Sequence, residues 1–467
     1  MMSRILPWLV AAFPLSVGLA QAGNVPVVDL PEPTTRTVER LGVVLGVRQG
    51  ADGKVLVNDA LRRQMLLFDT TLANRVVVMD STAGTSTSYG PVPTALIAFT
   101  GDSSLFADWK SQTVVVLDGH GKITRTIALP RPQDIIALNG ASSGFDARGR
   151  LVFQSGRPGA PPSESDTART AMAVLDSLLV LRADLDARRI DTIARIARPV
   201  MKVMTQKSSG GTLTTLYAAD PLQPLDNWTV LSNGSVAIVR GHDYHVDWID
   251  ADGSTRSSAK LPFEWKRFSD DEKRRLDDSL HVAQNSLLEK GYPGAEATFQ
   301  GPMPCGPPDG GRGAGGDGRG GGNRTGRSGG GGGDAPPPPS RGGCYQRMKW
   351  TPPPVDAGLW AGPPMPPLAD LYRANPISDY APPIRMNTTM PDLDGNVWIL
   401  PRVSSISKRG ELVYDVVNAR GELFERVRVP LGRAIAGFAR GGVVYLTSGD
   451  MKNGYTLERT RLPGSRS

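Results

Sequence analysis

One ten-residue phrase returns six times along this chain, and it constrains the fold more than any other feature. The copies are GADGKVLVND, TGDSSLFADW, DARGRLVFQS, LSNGSVAIVR, DLDGNVWILP and ARGGVVYLTS. Each turns at a small residue (Gly53, Ser103, Gly149, Gly234, Gly395 and Gly442) and then runs mostly apolar. A turn opening onto a short apolar or alternating run is the signature of a β-hairpin. The turns lie 50, 46, 85, 161 and 47 residues apart. Three spacings fit one four-stranded unit, and two fit that unit with an insertion.

A third strand follows each hairpin: MLLFD, TVVVLD, LLVLRAD, HVDWID, LVYDVVN and TLERTRL. A fourth runs as ITRTIALP, TRSSAKLP and LFERVRVP in copies two, four and five, and copies one and three keep it without the proline ending. The sixth copy has no fourth strand. Near the N-terminus, NVPVVDLP has the form of the missing piece. The expectation is a ring in which Val25 to Pro31 forms the outer strand of the last unit and covers an open sheet edge.

Four-stranded units at a period of about 40 to 50 residues build β-propellers. The expected fold is all-β, a six-bladed β-propeller of four-stranded antiparallel blades. On lines such as ADGKVLVND…LLFD and DLDGNVWIL…YDVVNARGELFERVRVP, the chain resembles the six-bladed propellers of the TolB, NHL and lactonase-like superfamily. That resemblance implies the fold and leaves the activity open, because propellers host unrelated functions.

Blades 1 to 4 are expected over residues 23–262, with insertions at 155–176 and 199–225, and blades 5 and 6 over 384–467. The largest insertion, 263–383, has parts of its own. Ser269 and Glu272 form a capping-box pattern, and Leu276, Leu280, Leu287 and Leu288 share one face of a helix expected over 270–290. Residues 301–344 are dominated by Gly, Arg and Pro and are expected to be disordered, and Pro-rich chain follows over 350–383. RGG-like tracts bind RNA in other settings, but Asp309, Asp317 and Asp334 dilute the charge here.

The first 22 residues read as a signal peptide. Arg4 is the positive start, Ile5 to Leu19 the apolar stretch, and Ala20-Gln21-Ala22 the small-x-small cleavage site. The apolar run holds Pro7 and Pro14 and is shorter than a membrane span. A periplasmic or secreted protein starting at Gly23, with no membrane span, is expected. In that compartment the two cysteines, Cys305 and Cys344, favour a disulfide across the Gly-rich tract. The net charge of +7 arises from 53 basic and 46 acidic residues interleaved along the chain. Interleaving describes a solvated surface, and no nucleic-acid partner is expected.

Motifs for phosphate-binding or zinc chemistry are absent: there is no P-loop and no H-E-x-x-H. The polar cluster worth weighing is GHDYHVD, residues 241–247. His242, Asp243, His245 and Asp247 are ligand types suited to a transition metal. Alternation, however, puts Tyr244, Val246 and Trp248 on one face and His245 and Asp247 on the other, as in an ordinary amphipathic strand. The superfamily resemblance implies a second possibility, since its lactonase-type members hold a divalent metal on carboxylates and amides at one channel mouth. Asn58, Asp59 and Asp108 stand at the matching strand ends here, but Gln154, Arg240 and Arg402 occupy the others.

Strand connectivity adds a location. In an antiparallel four-stranded blade, second-to-third-strand links and blade-to-blade links share one face of the disc, so all three insertions crowd that face. Candidate binding residues there are Asp59, Asp108, Arg240, His242, Asp243 and Arg402. The function expected is a monomeric binding module for an envelope or extracellular protein or glycan, without catalysis and without a cofactor. The alternative is a hydrolase or lactonase dependent on a divalent metal such as Ca or Zn.

Overall fold

The repeated alternation becomes hydrogen-bonded sheet in six places. The structure is a computed structural model that describes residues 25–82, 88–90, 94–109, 111–139, 142–154, 177–197, 201–207, 213–219, 222–276, 278, 297–302, 345–350, 378–402, 408 and 410–464. Blade 1 comprises Val44–Gln49, Val55–Asp59, Gln64–Phe68 and Arg75–Met79, from the axis outward. Blade 2 is Leu96–Ala98, Ser104–Asp108, Thr113–Leu117 and Ile123–Ala128; blade 3 is Gly144–Phe145, Leu151–Gln154, Ser177–Asp184 and Arg189–Ala197. Blade 4 is Asn227–Val230, Val236–Arg240, His245–Ile249 and Thr255–Ser257; blade 5 is Ile384–Pro391, Val397–Pro401, Leu412–Val417 and Leu423–Val429. Blade 6 contributes Arg433–Ala439, Val443–Asp450 and Gly454–Arg461.

Every blade buries both faces of its sheet against its neighbours, which is why the second strands are buried along most of their length and apolar in their middles. Each of the six junctions holds one buried apolar cluster. Leu56, Phe106 and Leu117 fill the wedge between blades 1 and 2, and Leu105, Phe153 and Leu181 the next. Val152, Trp228 and Ile238 join blades 3 and 4, and Tyr244, Trp248 and Val397 join blades 4 and 5. Trp398, Tyr414 and Phe438 lie between blades 5 and 6, and Val55, Phe68 and Tyr445 between blades 6 and 1. Full burial of one such aliphatic or aromatic side chain contributes about 1.5–3 kcal/mol. The ring therefore holds through its wedges.

Two of the turns opposite the insertions share one local device. Asp146 Oδ1 accepts the N–H groups of Arg148 and Arg150 at 2.9 and 3.0 Å, and Asp392 Oδ1 does the same for Asp394 and Asn396 at 2.9 and 2.8 Å. Three residues after each Asp, Gly149 and Gly395 take φ values of 74° and 91°, which a side chain would resist.

The N-terminal segment closes the ring, but not with the residues expected. Val27–Asp29 pairs parallel with Leu423–Val429 and makes a fifth strand on blade 5. The outer strand of blade 6 is Thr35–Arg36, antiparallel to Gly454–Arg461. The physical reason lies in the intervening residues. Leu30, 3% exposed, drops into the wedge between blades 5 and 6, and Pro31 and Pro33 have no N–H to continue a ladder. Pairing resumes one blade on, where the Thr34 N–H donates to Arg459 O at 3.2 Å.

The insertions attach as the connectivity requires. Residues 155–176 join the second and third strands of blade 3 and lie outside the described residues. Between blades 3 and 4, Met201–Lys207 and Leu213–Ala219 pair as a hairpin. The largest insertion leaves and returns through a two-stranded neck, with Arg267 bridged to Tyr380 and the Phe268 N–H donating to Asp379 O at 2.8 Å. The capping box then forms: the Ser269 N–H donates to Glu272 Oε2 at 2.9 Å and the Glu272 N–H to Ser269 Oγ at 3.2 Å. Helix is described over 270–276 and at 278, and the rest of the expected helix lies outside the described residues. So do residues 1–24, Cys305, Cys344 and the Gly-rich tract. Ala297–Pro302 pairs antiparallel with Tyr345–Trp350. Among the described residues no helix is long and apolar enough to cross a membrane.

Candidate functional site

The candidate residues lie where second strands end and innermost strands begin. Register places these ends together, as in the pairs Val44 with Asp59 and Ile384 with Pro401. A shared face is not yet a shared site, however, and the side chains go separate ways.

Asp59 belongs to the wall of blade 1. It is fully buried; its Oδ2 accepts the Gly42 N–H at 2.7 Å and its Oδ1 the Arg62 N–H at 3.2 Å. A Cβ on residue 42 would fall 2.4 Å from Asp59 Oδ1, so only glycine lets the carboxylate close on the backbone. Asn58 is equally occupied, donating from Nδ2 to Thr94 O at 2.6 Å and accepting the Tyr89 hydroxyl at 2.8 Å. Asp108 accepts the Ser111 hydroxyl at 2.6 Å within its own turn. Arg402 closes the second strand of blade 5, its N–H donating to Pro383 O at 2.6 Å. These residues stand on blades 1, 2 and 5.

Blade 4 is different, because its face side chains form one connected network. Tyr244, Val246 and Trp248 are fully buried, while His245 and Asp247 stand on the other side of the strand, as alternation predicts. His245 Nδ1 lies 2.7 Å from Asp243 Oδ1, and its Nε2 lies 3.2 Å from Asp247 Oδ1. Only an imidazolium donates to both carboxylates, whereas a neutral ring donates to one. Asp247 Oδ1 also accepts the Ser257 hydroxyl at 2.5 Å, and its Oδ2 accepts Arg240 Nε at 2.7 Å. Arg240 Nη1 continues to Asp226 Oδ2 at 2.9 Å and to Arg195 O at 3.1 Å on blade 3. Lys260 Nζ stands 3.6 Å from Asp243 Oδ2, and His242 is exposed at the rim.

Burial works against the charge of both aspartates, but their partners win. His245 and Lys260 hold the Asp243 carboxyl below the usual carboxylate range, and Ser257 and Arg240 do the same for Asp247. The carboxylates face the ring between them and do not converge on a common point. Among the described residues no group of three or more His, Cys, Asp or Glu side chains could hold a metal ion. Of the six candidates, the fold thus gathers Arg240, His242 and Asp243, and leaves Asp59, Asp108 and Arg402 apart.

Two further features lie beyond what local pattern signals. Tyr244, in left-handed backbone at φ 52°, donates its hydroxyl to Asp415 Oδ2 of blade 5 at 2.6 Å. Asp415 Oδ1 accepts Arg426 Nε at 2.9 Å, which completes a buried clasp between the blades. A buried tyrosine calls for an acceptor, but nothing in the local sequence says which residue supplies it. From Tyr244 an aromatic chain then runs outward: Phe263 at 5.5 Å, Trp265 at 5.3 Å further and Tyr380 at 6.5 Å, ring centre to ring centre. Trp265 and Tyr380 are 41% and 44% exposed, so the chain ends as an aromatic surface at the neck of the largest insertion.

Six wedge-packed blades closed by the N-terminal segment define the protein as a six-bladed β-propeller. No protein-family model matches the sequence, and no curated protein matches it. Solved structures that align with it include a member of the duf4221 family from Bacteroides vulgatus, 10% identical, with a TM-score of 0.34 and coverage of 92% of this chain and 94% of that one. A streptogramin B lyase aligns at 8% identity and a TM-score of 0.31, over 91% of this chain and 85% of the other. A gluconolactonase of Xanthomonas campestris aligns at 14% identity and a TM-score of 0.24, over 55% and 94%. Likenesses at this level carry no function across, so function rests on this chain's own residues.

Proposed function

We propose that the protein is an exported propeller that works as a binding module, presenting one decorated face to a protein or glycan partner without catalysis of its own. One observation carries the reading: all three long insertions join strands on the face that holds the blade 4 network and the Trp265–Tyr380 surface. Loops set on a rigid scaffold are where recognition usually resides. Exposed aromatic rings beside charged groups suit a partner with both apolar and polar surface, such as a sugar face or a peptide. The opposite face carries tight turns, among them Asp118–Gly121, Asp146–Gly149, Asp250–Gly253 and Asp392–Gly395, with little to offer a partner.

The reading is tested by retention of the purified protein on immobilised polysaccharides and on fractionated envelope proteins. Replacing Trp265 and Tyr380 with Ala should abolish retention, whereas Lys54→Glu with Lys122→Glu, on the opposite turns, should leave it intact. The reverse pattern would place the working surface on the wrong face.

Export follows from the leader over residues 1–22, and it bears on the two cysteines. The register Pro302 with Tyr345 brings the chain together beside Cys305 and Cys344, which supports a disulfide closing a loop of about 40 residues. Such a bond removes roughly 4 kcal/mol of unfolded-chain entropy in the simple model. Intact mass after thiol alkylation reads both points at once. The expected species starts at Gly23 and takes up alkyl groups only after reduction; two alkylations without reduction would exclude the bond.

A further inference from the structure

The innermost strands of blades 4 and 5, Asn227–Val230 and Ile384–Pro391, adjoin along a seam beside the central channel. The blade 5 strand is irregular there. Its pairing with the second strand jumps from Ile384 to Thr389, and Asn387 sits at φ 59°. Left-handed backbone at a residue other than glycine persists only where the surroundings hold it. Asn227 does the holding, through three contacts at a residue only 4% exposed. Its Oδ1 accepts the Asn387 N–H at 2.8 Å, and its Nδ2 donates to Arg385 O at 2.5 Å and to Thr388 Oγ1 at 3.2 Å. Strand bulges re-aim side chains and are common beside functional sites. Arg385 opens this one.

Arg385 is half-buried, and among the described residues no carboxylate pairs with it. Several other partly buried arginines are ion-paired: Arg150 faces Asp146, Arg240 faces Asp226, Arg426 faces Asp415 and Arg433 faces Glu458, whereas Arg48 reaches only the backbone carbonyls of Gly101 and Ser103 at 3.5 Å. The Arg385 Nε is buried without a hydrogen-bond partner, and so are Thr229 Oγ1 and Thr389 Oγ1 on the same two strands. Thr229 and Thr389 are 1% and 7% exposed. Burial pushes the Arg385 guanidinium below the usual arginine range. An unpaired buried cation is costly, and three orphaned polar groups on two adjoining strands call for an explanation.

We propose that this seam is an oxyanion site, in which Arg385 supplies a guanidinium and Thr229 and Thr389 supply flanking hydroxyls for one carboxylate or phosphate group. The ligand class follows from the donors. A guanidinium offers parallel N–H groups that match two oxygens of a carboxylate or phosphate, and hydroxyls donate to a third position. The missing counter-charge is that of the ligand. The anion is either a free small molecule entering from the channel mouth or an acidic group carried on a polymer.

Titration calorimetry on the whole protein tests this with sodium phosphate, sodium malonate and an oligogalacturonate, each against sodium chloride at matched ionic strength. One saturable site per chain is expected for at least one oxyanion, with no response to chloride. Arg385→Gln should weaken that binding about tenfold or more, since a charge-assisted hydrogen bond is lost. The same variant should melt no lower than the parent, because it removes an unpaired buried charge. Should Arg385→Gln fail to fold, Arg385→Lys keeps the charge without the fork and should lower affinity at unchanged stoichiometry. Phosphate or malonate binding assigns a free anion, and binding of the oligogalacturonate alone assigns a polymer-borne acid. No oxyanion response beyond chloride, or a response unchanged by the Arg385 substitutions, overturns the proposal.

Discussion

Removing residues 24–38 should lower the melting temperature by roughly 10 °C or more and drive the protein to aggregate. The deletion takes away Leu30 from the wedge between blades 5 and 6, a loss of about 2–5 kcal/mol by itself. At roughly 2–4 °C per kcal/mol for a large domain, that alone accounts for most of the shift. It also removes Thr35–Arg36 and Thr37, whose Oγ1 accepts the Leu457 N–H at 3.1 Å, and so leaves the Gly454–Arg461 strand as an open edge. Open edges recruit other chains. A shorter deletion, 24–31, separates the two contributions. It should destabilise through Leu30 and the blade 5 strand yet stay monomeric, because Thr35–Arg36 still covers blade 6. Light scattering alongside the melt decides, and equal aggregation of both variants would refute this division of labour.

Asp415→Ala should cost about 3–5 kcal/mol of unfolding free energy, the usual penalty for stripping one partner from a buried charged pair. Asp415 is 3% exposed and takes hydrogen bonds from the Tyr244 hydroxyl and Arg426 Nε. Without it, a fully buried phenol and a partly buried guanidinium both lose their acceptor. Tyr244→Phe should cost less, about 1–2 kcal/mol, since only one donor disappears. Combining the two should cost less than their sum, because the second change no longer orphans the hydroxyl. Urea denaturation of the four proteins measures the coupling, and strict additivity would mean the clasp is not a unit. Burial holds the Asp415 carboxyl above the usual range, with Tyr244 and Arg426 pulling the other way. A raised native value makes its linkage most favourable at low pH and lost as pH rises through that value.

Several features were legible in the residues because they are local. Strand periodicity, the Asp-x-x-Gly turns, the Ser269–Glu272 capping box and the buried side of Tyr244–Val246–Trp248 all follow from neighbours within a few positions. Connectivity by itself puts the attachment points of the insertions at one end of the strands, as second-to-third-strand and blade-to-blade links.

The sequence alone therefore determined the six blades and their turns. The tertiary structure decided which polar residues are walls and which are sites. Asp59 looks like a channel-mouth carboxylate until Gly42 and Arg62 are seen to occupy it. Val27–Asp29 matches the missing outer strand, yet the wedge under Leu30 and two prolines send it to the neighbouring blade. Tyr244 finds Asp415 across 171 positions, and Asn227 finds Asn387 across 160. Pairings of that range are set by how wedges pack around a ring, and local pattern holds no record of them.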